Sequence, residues 1–369
     1  MDIGIPREHR TDEYRVGMTP AGVGLLKAMG HTCYVEQNAG LGAGFSDLDY
    51  EHEGARIVYS PLELFARASL ILKVARPTIE EIEMLREGSI LMGFLHLAVE
   101  RRERIDTLLQ KRVTAIAYDL VQADNGTLPV QAPLSQAAGR MTPLIAATFM
   151  QNHHGGKGIL LRGVPGVPPA EVVILGAGAY GAAAANAFLR SGASVSVLDK
   201  DLSKLQALDE AQGMNGRLVT MVSHPFNIVK VTRFADVLVG GILVHGERTP
   251  VVVSRELVKR MKARSVIIDA SIDQGGCIET SRLTTHRDPT YVEENVIHYC
   301  VPNMTSVVAR TATHAFNNAA WPFIQEIALH GLEHALNVLP ALKRGVMVHE
   351  GQVVNPALAS YLGVGGVAL

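Results

Sequence analysis

A glycine-rich motif in the middle of the chain has the spacing of a phosphate-binding turn. The residues GAGAYG at 176–181 follow the apolar run 172–175 and precede an alanine-rich run at 182–187. Asp199 comes directly after the next apolar run, 194–198. A strand, a G-x-G-x-x-G turn, a helix and a later carboxylate are together typical of a dinucleotide-binding unit.

The residues of this motif have separate roles in binding. Gly176 permits the tight turn, Gly178 lets the backbone approach a pyrophosphate, and Gly181 lets helix and strand pack closely. The helix that follows offers its N-terminal N–H groups to the phosphates. A carboxylate at Asp199 would bind both ribose hydroxyls and repel a 2′-phosphate. The motif therefore predicts NAD as cofactor in preference to NADP, although Lys200 beside the carboxylate weakens that preference slightly.

Polar residues also follow two other apolar runs. Asp269 and Asp273 come after the run 266–268 and precede paired glycines, and His96 ends the run 90–95. Ligands of parallel α/β sheets bind beyond the carboxyl ends of the strands, so these side chains are candidates for catalysis. The alternatives are a strand end capped by Asx turns and a histidine with a structural role.

Short apolar runs alternate with helical patterns in two series, which predicts the elements that hold these residues. Strands are predicted at 3–6, 33–36, 70–74, 90–95 and 113–118, and again at 172–175, 194–198, 218–222, 237–240 and 266–269. A Gly- and Pro-rich stretch at 155–169 separates the series, and the pattern after Asn303 is mainly helical. The predicted fold class is α/β, with two Rossmann-like domains whose parallel sheets are flanked by helices.

The composition restricts the partners and the compartment. Hydrophobic residues make up 47% of the 369 residues and charged residues 19%, and the net charge is −2. This balance suits a large α/β protein and gives no basic surface for nucleic acid or an anionic membrane. The three cysteines lack CxxC spacing, and the N-terminus carries charge where a signal peptide needs an apolar segment. We therefore expect a cytoplasmic protein with a small-molecule substrate.

Motifs along nearly the whole chain resemble the alanine dehydrogenase and transhydrogenase α-subunit superfamily. They are IGIPRE at 3–8, YRV at 14–16, TPAGV at 19–23, FLHLA at 94–98, PLS at 133–135, AGR at 138–140, GVPG at 163–166, GAGAYG at 176–181, IDQGGC at 272–277 and YCVPNM at 299–304. The last three of these motifs resemble its alanine dehydrogenase branch in particular.

This resemblance implies a domain organisation and a reaction. It implies a discontinuous substrate domain over 1–130 and 306–369, an NAD-binding domain over 131–305, and an active site in the interdomain cleft. It also implies a homo-oligomer, a hexamer with a dimer as the alternative. The reaction would be hydride transfer between NAD(H) and an amino or imino acid, such as the conversion of L-alanine to pyruvate and ammonia.

The resemblance also assigns roles to individual residues. Arg15 would clamp the substrate carboxylate, His96 would bind the carbonyl or imine and share in proton transfer, and Asp273 would orient water or ammonia and stabilise a cationic imine. Lys73, Arg76 and Asn303 would complete the substrate site. The cofactor contacts would be Ser135, Gly176, Gly178, Ala179, Tyr180, Gly181, Asp199, Ser223, Gly241 and Leu243. No metal ligand is predicted.

One departure from the family pattern affects the chemistry. The family reads Lys-Val-Lys-Glu-Pro where this chain has KVARP at 73–77, so Ala75 replaces the second lysine. Lys73, two residues away on the predicted strand, points to the same side as Ala75, and Arg76 points to the opposite side and cannot easily lose a proton. General acid–base groups contribute about 10²–10⁴-fold to rate, so ordinary alanine turnover is in question. Gln136, in place of the family's glutamate, and the bulky Tyr180 agree with an altered pocket.

Three functions follow as alternatives. The first is an NAD-dependent dehydrogenase for alanine or a related amino acid. The second is a family member that reduces an imine formed from a larger amine or 2-oxo acid, because Ala75 replaces the lysine. The third is a non-catalytic NAD-binding protein or a transhydrogenase-like component, against which the presence of both His96 and Asp273 argues.

Overall fold

The computed structural model of the chain describes residues 1–97, 101–213, 216–244, 248–367 and 369. Ala98, the last residue of the FLHLA motif, lies outside these ranges. Contacts divide the chain into two compact units, of which unit 1 comprises Met1–Leu134 with Thr305–Leu369 and unit 2 comprises Ser135–Met304. The first boundary falls after Leu134 instead of position 130, and the second falls before Thr305 instead of position 306.

Unit 1 is built on a sheet in which six consecutive strands are parallel. Its strands are β1 (Asp2–Ile5), β2 (Thr32–Glu36), β3 (Arg56–Val58), β4 (Leu70–Ala75), β5 (Ile90–Phe94), β6 (Thr114–Ala117), β14 (Val346–His349) and β15 (Gln352–Val353). Within the described residues the order is β15-β14-β6-β5-β4-β1-β2-β3, and β14 and β15 pair antiparallel at one edge. The six parallel strands have the 3-2-1-4-5-6 order of the Rossmann fold.

Unit 2 repeats this order. Its strands are β7 (Glu171–Leu175), β8 (Ser194–Asp199), β9 (Leu218–Val222), β10 (Val237–Gly240), β11 (Val266–Asp269), β12 (Thr290–Glu293) and β13 (Val296–Tyr299). They are arranged β12-β13-β11-β10-β7-β8-β9 in the part of the chain that the structure describes, with β12 antiparallel to β13. The order in which the strands are added reverses between β7 and β10, and sheets of this kind bind ligands at such a point.

Helices cover both sheets. In unit 1 they are α1 (Pro20–Ala28), α2 (Asp47–His52), α3 (Pro61–Arg67), α4 (Ile79–Met84), α5 (Arg102–Gln110), α11 (Ala309–His330), α12 (Leu332–Val338), α13 (Pro340–Arg344) and α14 (Pro356–Leu362). In unit 2 they are α7 (Ala179–Arg190), α8 (Leu202–Gln212), α9 (Pro225–Thr232) and α10 (Arg255–Val258), and the boundary between the units lies in α6 (Ala132–Phe149). No helix among the described residues is both long and apolar enough to span a bilayer.

The predicted fold class is confirmed, with sheets that are mixed at their edges instead of wholly parallel. The central strands are buried over almost their whole length because helices cover both faces. In unit 1, one face packs against α11 through residues such as Phe316, Ile324 and Ile327. The rigid sheets hold their strand ends, and the polar residues that follow the strands, in fixed positions.

Candidate active site

Arg15 in unit 1 is buried in an ion pair that the sequence analysis did not include. Its Nε donates to Glu13 Oε1 at 2.7 Å and its Nη2 to Glu13 Oε2 at 2.6 Å. Nη1 donates to Thr305 Oγ1 at 3.2 Å. Glu13 therefore occupies the Nε–Nη2 side of the guanidinium, which is one of the two faces suited to a bidentate carboxylate.

Lys73 on β4 is enclosed by two carboxylates. Its side chain is 1% exposed, and Nζ lies 2.8 Å from Glu81 Oε1 and 3.1 Å from Glu8 Oε2. Burial by itself would lower the pKa of Lys73, but the charges of Glu8 and Glu81 outweigh burial and raise it. Lys73 is therefore a charged cross-link between the segment after β1, strand β4 and helix α4. Its contacts are those of a structural residue more than of a substrate ligand.

Strand β4 is irregular where Lys73 and Ala75 lie. Leu72 pairs with Met92 and Ala75 with Phe94, so β4 advances three residues while β5 advances two. The Val74 N–H within this irregularity donates to Glu8 Oε1 at 2.7 Å. The expectation that Lys73 and Ala75 share one side assumed a regular strand, and that assumption is wrong here. Ala75 is buried, and Arg76, which follows the strand, is half-buried.

His96 faces a buried carboxylate that the sequence analysis also missed. It follows β5 with φ of +47°, a left-handed conformation that is uncommon for residues other than glycine. Its Nδ1 lies 3.2 Å from Oδ2 of Asp119, which follows β6. Burial opposes ionisation of Asp119, but the charge and hydrogen bond of His96, together with backbone hydrogen bonds, outweigh it and lower the pKa of Asp119. The pair brings an ionised carboxylate to an imidazole at the carboxyl end of the sheet.

The glycine turn of unit 2 has the shape that a dinucleotide requires. Gly176 has φ of +106°, and a Cβ there would lie 2.5 Å from the Gly241 carbonyl oxygen, so no other residue fits. A Cβ on Gly178 would meet no atom of the described residues within 4 Å, which leaves the turn open to an approaching pyrophosphate. Gly178 is also the N-cap of α7, and Ala179 is its first residue. The backbone at this turn therefore fits an NAD pyrophosphate.

Asp199, the predicted ribose ligand, ends β8 beside this turn. Its Oδ2 accepts from the Ala177 N–H at 2.7 Å and its Oδ1 from the Asp201 N–H at 2.9 Å. A carboxylate has about four acceptor positions, so capacity for two ribose hydroxyls is left. The Ser223 N–H at the end of β9 donates to the Asp199 carbonyl oxygen at 2.9 Å. Asp199 and Ser223 thus lie together at the carboxyl edge of the sheet.

The Tyr180 side chain packs beside Gly241, another of the predicted cofactor contacts. Its hydroxyl lies 2.8 Å from Thr142 Oγ1 on α6, and a Cβ on Gly241 would lie 2.6 Å from its ring. Burial raises the pKa of Tyr180, so the hydroxyl stays neutral. Ser135 is half-buried in the first turns of α6, and Leu243 is exposed after β10. The tyrosine therefore packs between α6 and the segment after β10 instead of blocking the turn.

The segment after β11 presents Asp273 on a short 3₁₀ helix, Ile272–Gln274. Buried Asp269 anchors this segment by accepting from the N–H groups of Ser271 at 3.1 Å and Cys277 at 3.0 Å. Asp273 itself is exposed, and its Oδ2 accepts from the Asn303 N–H at 3.4 Å. The structure thus brings together Asp273 and Asn303 in unit 2, and it gives Asp269 an anchoring role.

Family models match both parts of the chain. The alanine dehydrogenase/PNT N-terminal domain matches residues 4–138, and the alanine dehydrogenase/PNT C-terminal domain matches residues 142–356. The chain belongs to the alanine dehydrogenase/PNT family.

Individual members of the family are similar over almost their full length. An alanine dehydrogenase of Methanococcus maripaludis is 44% identical over 360 residues, which cover 97% of this chain and 96% of the relative. An alanine dehydrogenase of Halomonas elongata is 43% identical over 364 residues, which cover 99% of this chain and 97% of the relative. A solved structure of an L-alanine dehydrogenase superposes with a TM-score of 0.92 at 39% identity and covers 98% of this chain and 99% of its own.

The position of Asp199 in this family fold leads to a prediction on nucleotide choice. Replacing Asp199 by alanine should reduce the preference for NADH over NADPH by about tenfold or more, because the charge that repels a 2′-phosphate is lost. Asp199→Asn should reduce this preference by a similar factor, although the amide keeps one acceptor oxygen for the N–H groups of the turn. Fluorescence titration with NADH and NADPH gives both dissociation constants for each variant.

Asp201→Asn is the matched control, since this carboxylate is near in sequence but caps α8 by accepting from the Ser203 N–H at 2.9 Å. The ratio of the two constants should not change in that variant. Equal affinity of the unmodified protein for NADH and NADPH would remove the basis for the role given to Asp199.

Proposed function

We propose that the protein is an NAD-dependent amino-acid dehydrogenase that converts an L-amino acid to its 2-oxo acid and ammonia, and catalyses the reverse reaction. The observation that carries this proposal is the similarity, over almost the whole chain, to relatives named alanine dehydrogenase. The open glycine turn of unit 2 and the histidine–carboxylate pair of unit 1 support it.

The two units have different roles in this proposal. Unit 2 binds the dinucleotide through the glycine turn, Asp199 and Ser223, and unit 1 binds the amino acid. NAD held in unit 2 would supply the acceptor for the hydride of the carbon that carries the amine. The substrate carboxylate binds the guanidinium of Arg15. A cytoplasmic location and a homo-oligomeric assembly also stay predictions.

The side chains account for the proton transfers. Loss of hydride and of one amine proton converts the amino acid to a cationic imine, and His96 takes the proton. The carboxylate of Asp273 stabilises the positive charge and orients the water that adds to the imine carbon. One proton of the added water moves to the amine nitrogen, ammonia leaves the adduct, and the hydroxyl proton passes to it, which gives the 2-oxo acid and ammonium. Asn303 supports Asp273 through the backbone contact described above.

Ala75 bears on which amino acid is used. A methyl group is present where the family pattern has an ammonium, so no charge at this position opposes a developing iminium. The methyl group is also much smaller than a lysine side chain, and we infer that a larger amine or ring takes up the difference in volume. We therefore expect weak turnover of alanine and pyruvate and better turnover of a larger amino acid or imine.

An assay of NADH oxidation tests both the reaction and its substrate. The unmodified protein and the Ala75→Lys variant should be assayed with pyruvate and ammonia, and with a panel of 2-oxo acids and cyclic imines offered with ammonia and larger amines. The variant should aminate pyruvate about tenfold faster or more, because it regains an acid–base group. Ala75→Met is the control, since it adds similar length without charge and should not raise the rate.

The outcomes separate the alternatives. Turnover of alanine by the unmodified protein at about 10 s⁻¹, an ordinary enzyme rate, would leave the dehydrogenase proposal in place and contradict the substrate shift. Binding of NADH without turnover of any substrate would contradict the enzymatic proposal and favour a non-catalytic NAD-binding protein.

A further inference from the structure

The contact between His96 and Asp119 bears on both the position and the tautomer of the imidazole ring. The two residues follow neighbouring parallel strands, because Gly93 of β5 is in register with Ala117 of β6. Asp119 is buried, whereas the His96 side chain is 28% exposed. The carboxylate therefore lies behind the imidazole, and the ring is the more accessible member of the pair.

The identity of the contacting atoms determines which nitrogen carries the hydrogen. The interaction joins Nδ1 of His96 to Oδ2 of Asp119 at 3.2 Å. An ionised carboxylate only accepts hydrogen bonds, so Nδ1 must be the donor. The neutral ring then carries its lone pair on Nε2, and after protonation the imidazolium keeps its Nδ1–H on the carboxylate.

We propose that Asp119 is a positioning residue that holds His96 in the Nδ1–H tautomer, with Nε2 as the atom that exchanges a proton with the substrate. The inference rests on the proposed function, in which His96 takes the amine proton. In that step the N–H bond of the substrate breaks, Nε2 gains the proton, and the buried charge of Asp119 stabilises the imidazolium. Asp119 also holds the ring while His96 has a left-handed backbone conformation.

Asp119→Asn is the informative substitution, because it keeps the shape of the side chain and removes its charge. An amide can donate to Nδ1 as readily as it accepts, so the variant no longer enforces one tautomer. We expect kcat to fall by about tenfold or more with little change in KM, as for other residues that orient a catalytic histidine. Asp119→Glu, which restores a carboxylate, should recover part of the loss.

A spectroscopic measurement tests the tautomer without any assay. In protein labelled with ¹⁵N-histidine, the His96 signals, assigned by their loss in His96→Gln, should show the Nδ1–H form in the unmodified protein and a changed population in Asp119→Asn. Glu326→Gln is the control, since it removes a carboxylate that lies 3.4 Å from His334 Nε2 in the same unit. It should alter neither the His96 signals nor kcat.

The two kinds of measurement keep this inference separate from the function. If the unmodified protein turns over no amino acid, the proposed function fails and the nitrogen spectra alone decide the role of Asp119. An Nε2–H tautomer in the unmodified protein, or unchanged His96 signals in a folded Asp119→Asn variant, would overturn the inference. Parental kcat in that variant would overturn it as well, even with the dehydrogenase activity established.

Discussion

Replacing His96 by alanine should lower kcat/KM on the true substrate by about 10²-fold or more, the lower end of the range for acid–base groups. The imidazole would take the amine proton as the substrate is oxidised, and the alanine variant leaves only water for this role. Asp273→Ala should have an effect of similar size because it removes the charge that stabilises the imine. Steady-state kinetics with the substrate found in the panel assay measures both losses.

The affinity for NADH provides the control for these variants. His96 belongs to unit 1, and the glycine turn and Asp199 belong to unit 2, so NADH should bind the His96→Ala variant with an unchanged dissociation constant. Arg15→Ala should reduce kcat/KM by at least about 10²-fold too, but it also leaves Glu13 buried without its guanidinium. The unfolding free energy of the Arg15→Ala variant must therefore be measured together with its kinetics. Full activity of the His96 variant would show that this strand-end position is not catalytic.

Replacing Lys73 by methionine should destabilise the protein by about 3–5 kcal/mol, the usual result of breaking a buried ion pair from one side. The substitution preserves most of the side-chain volume but leaves Glu8 and Glu81 buried without a counter-charge. Urea unfolding at one fixed protein concentration compares the variant with its parent. The difference in unfolding free energy between the two proteins should become smaller as the pH falls. Burial already raises the pKa of Glu8, and a protonated carboxyl needs no counter-charge.

Lys157→Met is the matched control for this experiment. Lys157 Nζ lies 2.7 Å from Asp236 Oδ1, but that oxygen is also 2.9 Å from Lys262 Nζ, and both lysines are partly exposed. We expect less than about 1 kcal/mol of destabilisation, as for exposed pairs. A Lys73→Met variant as stable as this control would show that Lys73 is not the cross-link described above.

The elements that the sequence predicted are those with strong local signals. The strands around the glycine turn, β7 and β8, combine apolar runs with turn residues, and both positions were predicted to within two residues. The edge strands β3, β12 and β15 were not predicted, because they are short and carry exposed or half-buried residues without a clear period. The buried strands β13 and β14 were missed as well, although each is a short apolar run. β12 and β15 each form a short antiparallel hairpin with the strand beside them in the chain, and β3 pairs with β2.

In the candidate site too, some features had a local sequence signal and others did not. Asp119 ends an apolar run just as Asp199 does, so the strand-end signal was present and was not used. The carboxylates around Lys73 were beyond such reasoning, since Glu8 reaches it from 65 positions earlier and only Glu81 is nearby. The irregularity in β4 lies where the Val74 N–H donates to Glu8, a residue far away in sequence, and the KVARP run alone contains no sign of it.

The discontinuity of unit 1 sets an order for its folding during synthesis. The sheet strands β1–β6 leave the ribosome first, but α11, which packs against their apolar face, follows only after all of unit 2. At about 5–20 residues per second, the roughly 170 intervening residues take on the order of 10–30 s. During that interval unit 2 can fold as a continuous segment, while the part of the unit 1 apolar face that α11 covers is still exposed. Any chaperone requirement of this protein should therefore fall on its N-terminal third, before α11 emerges.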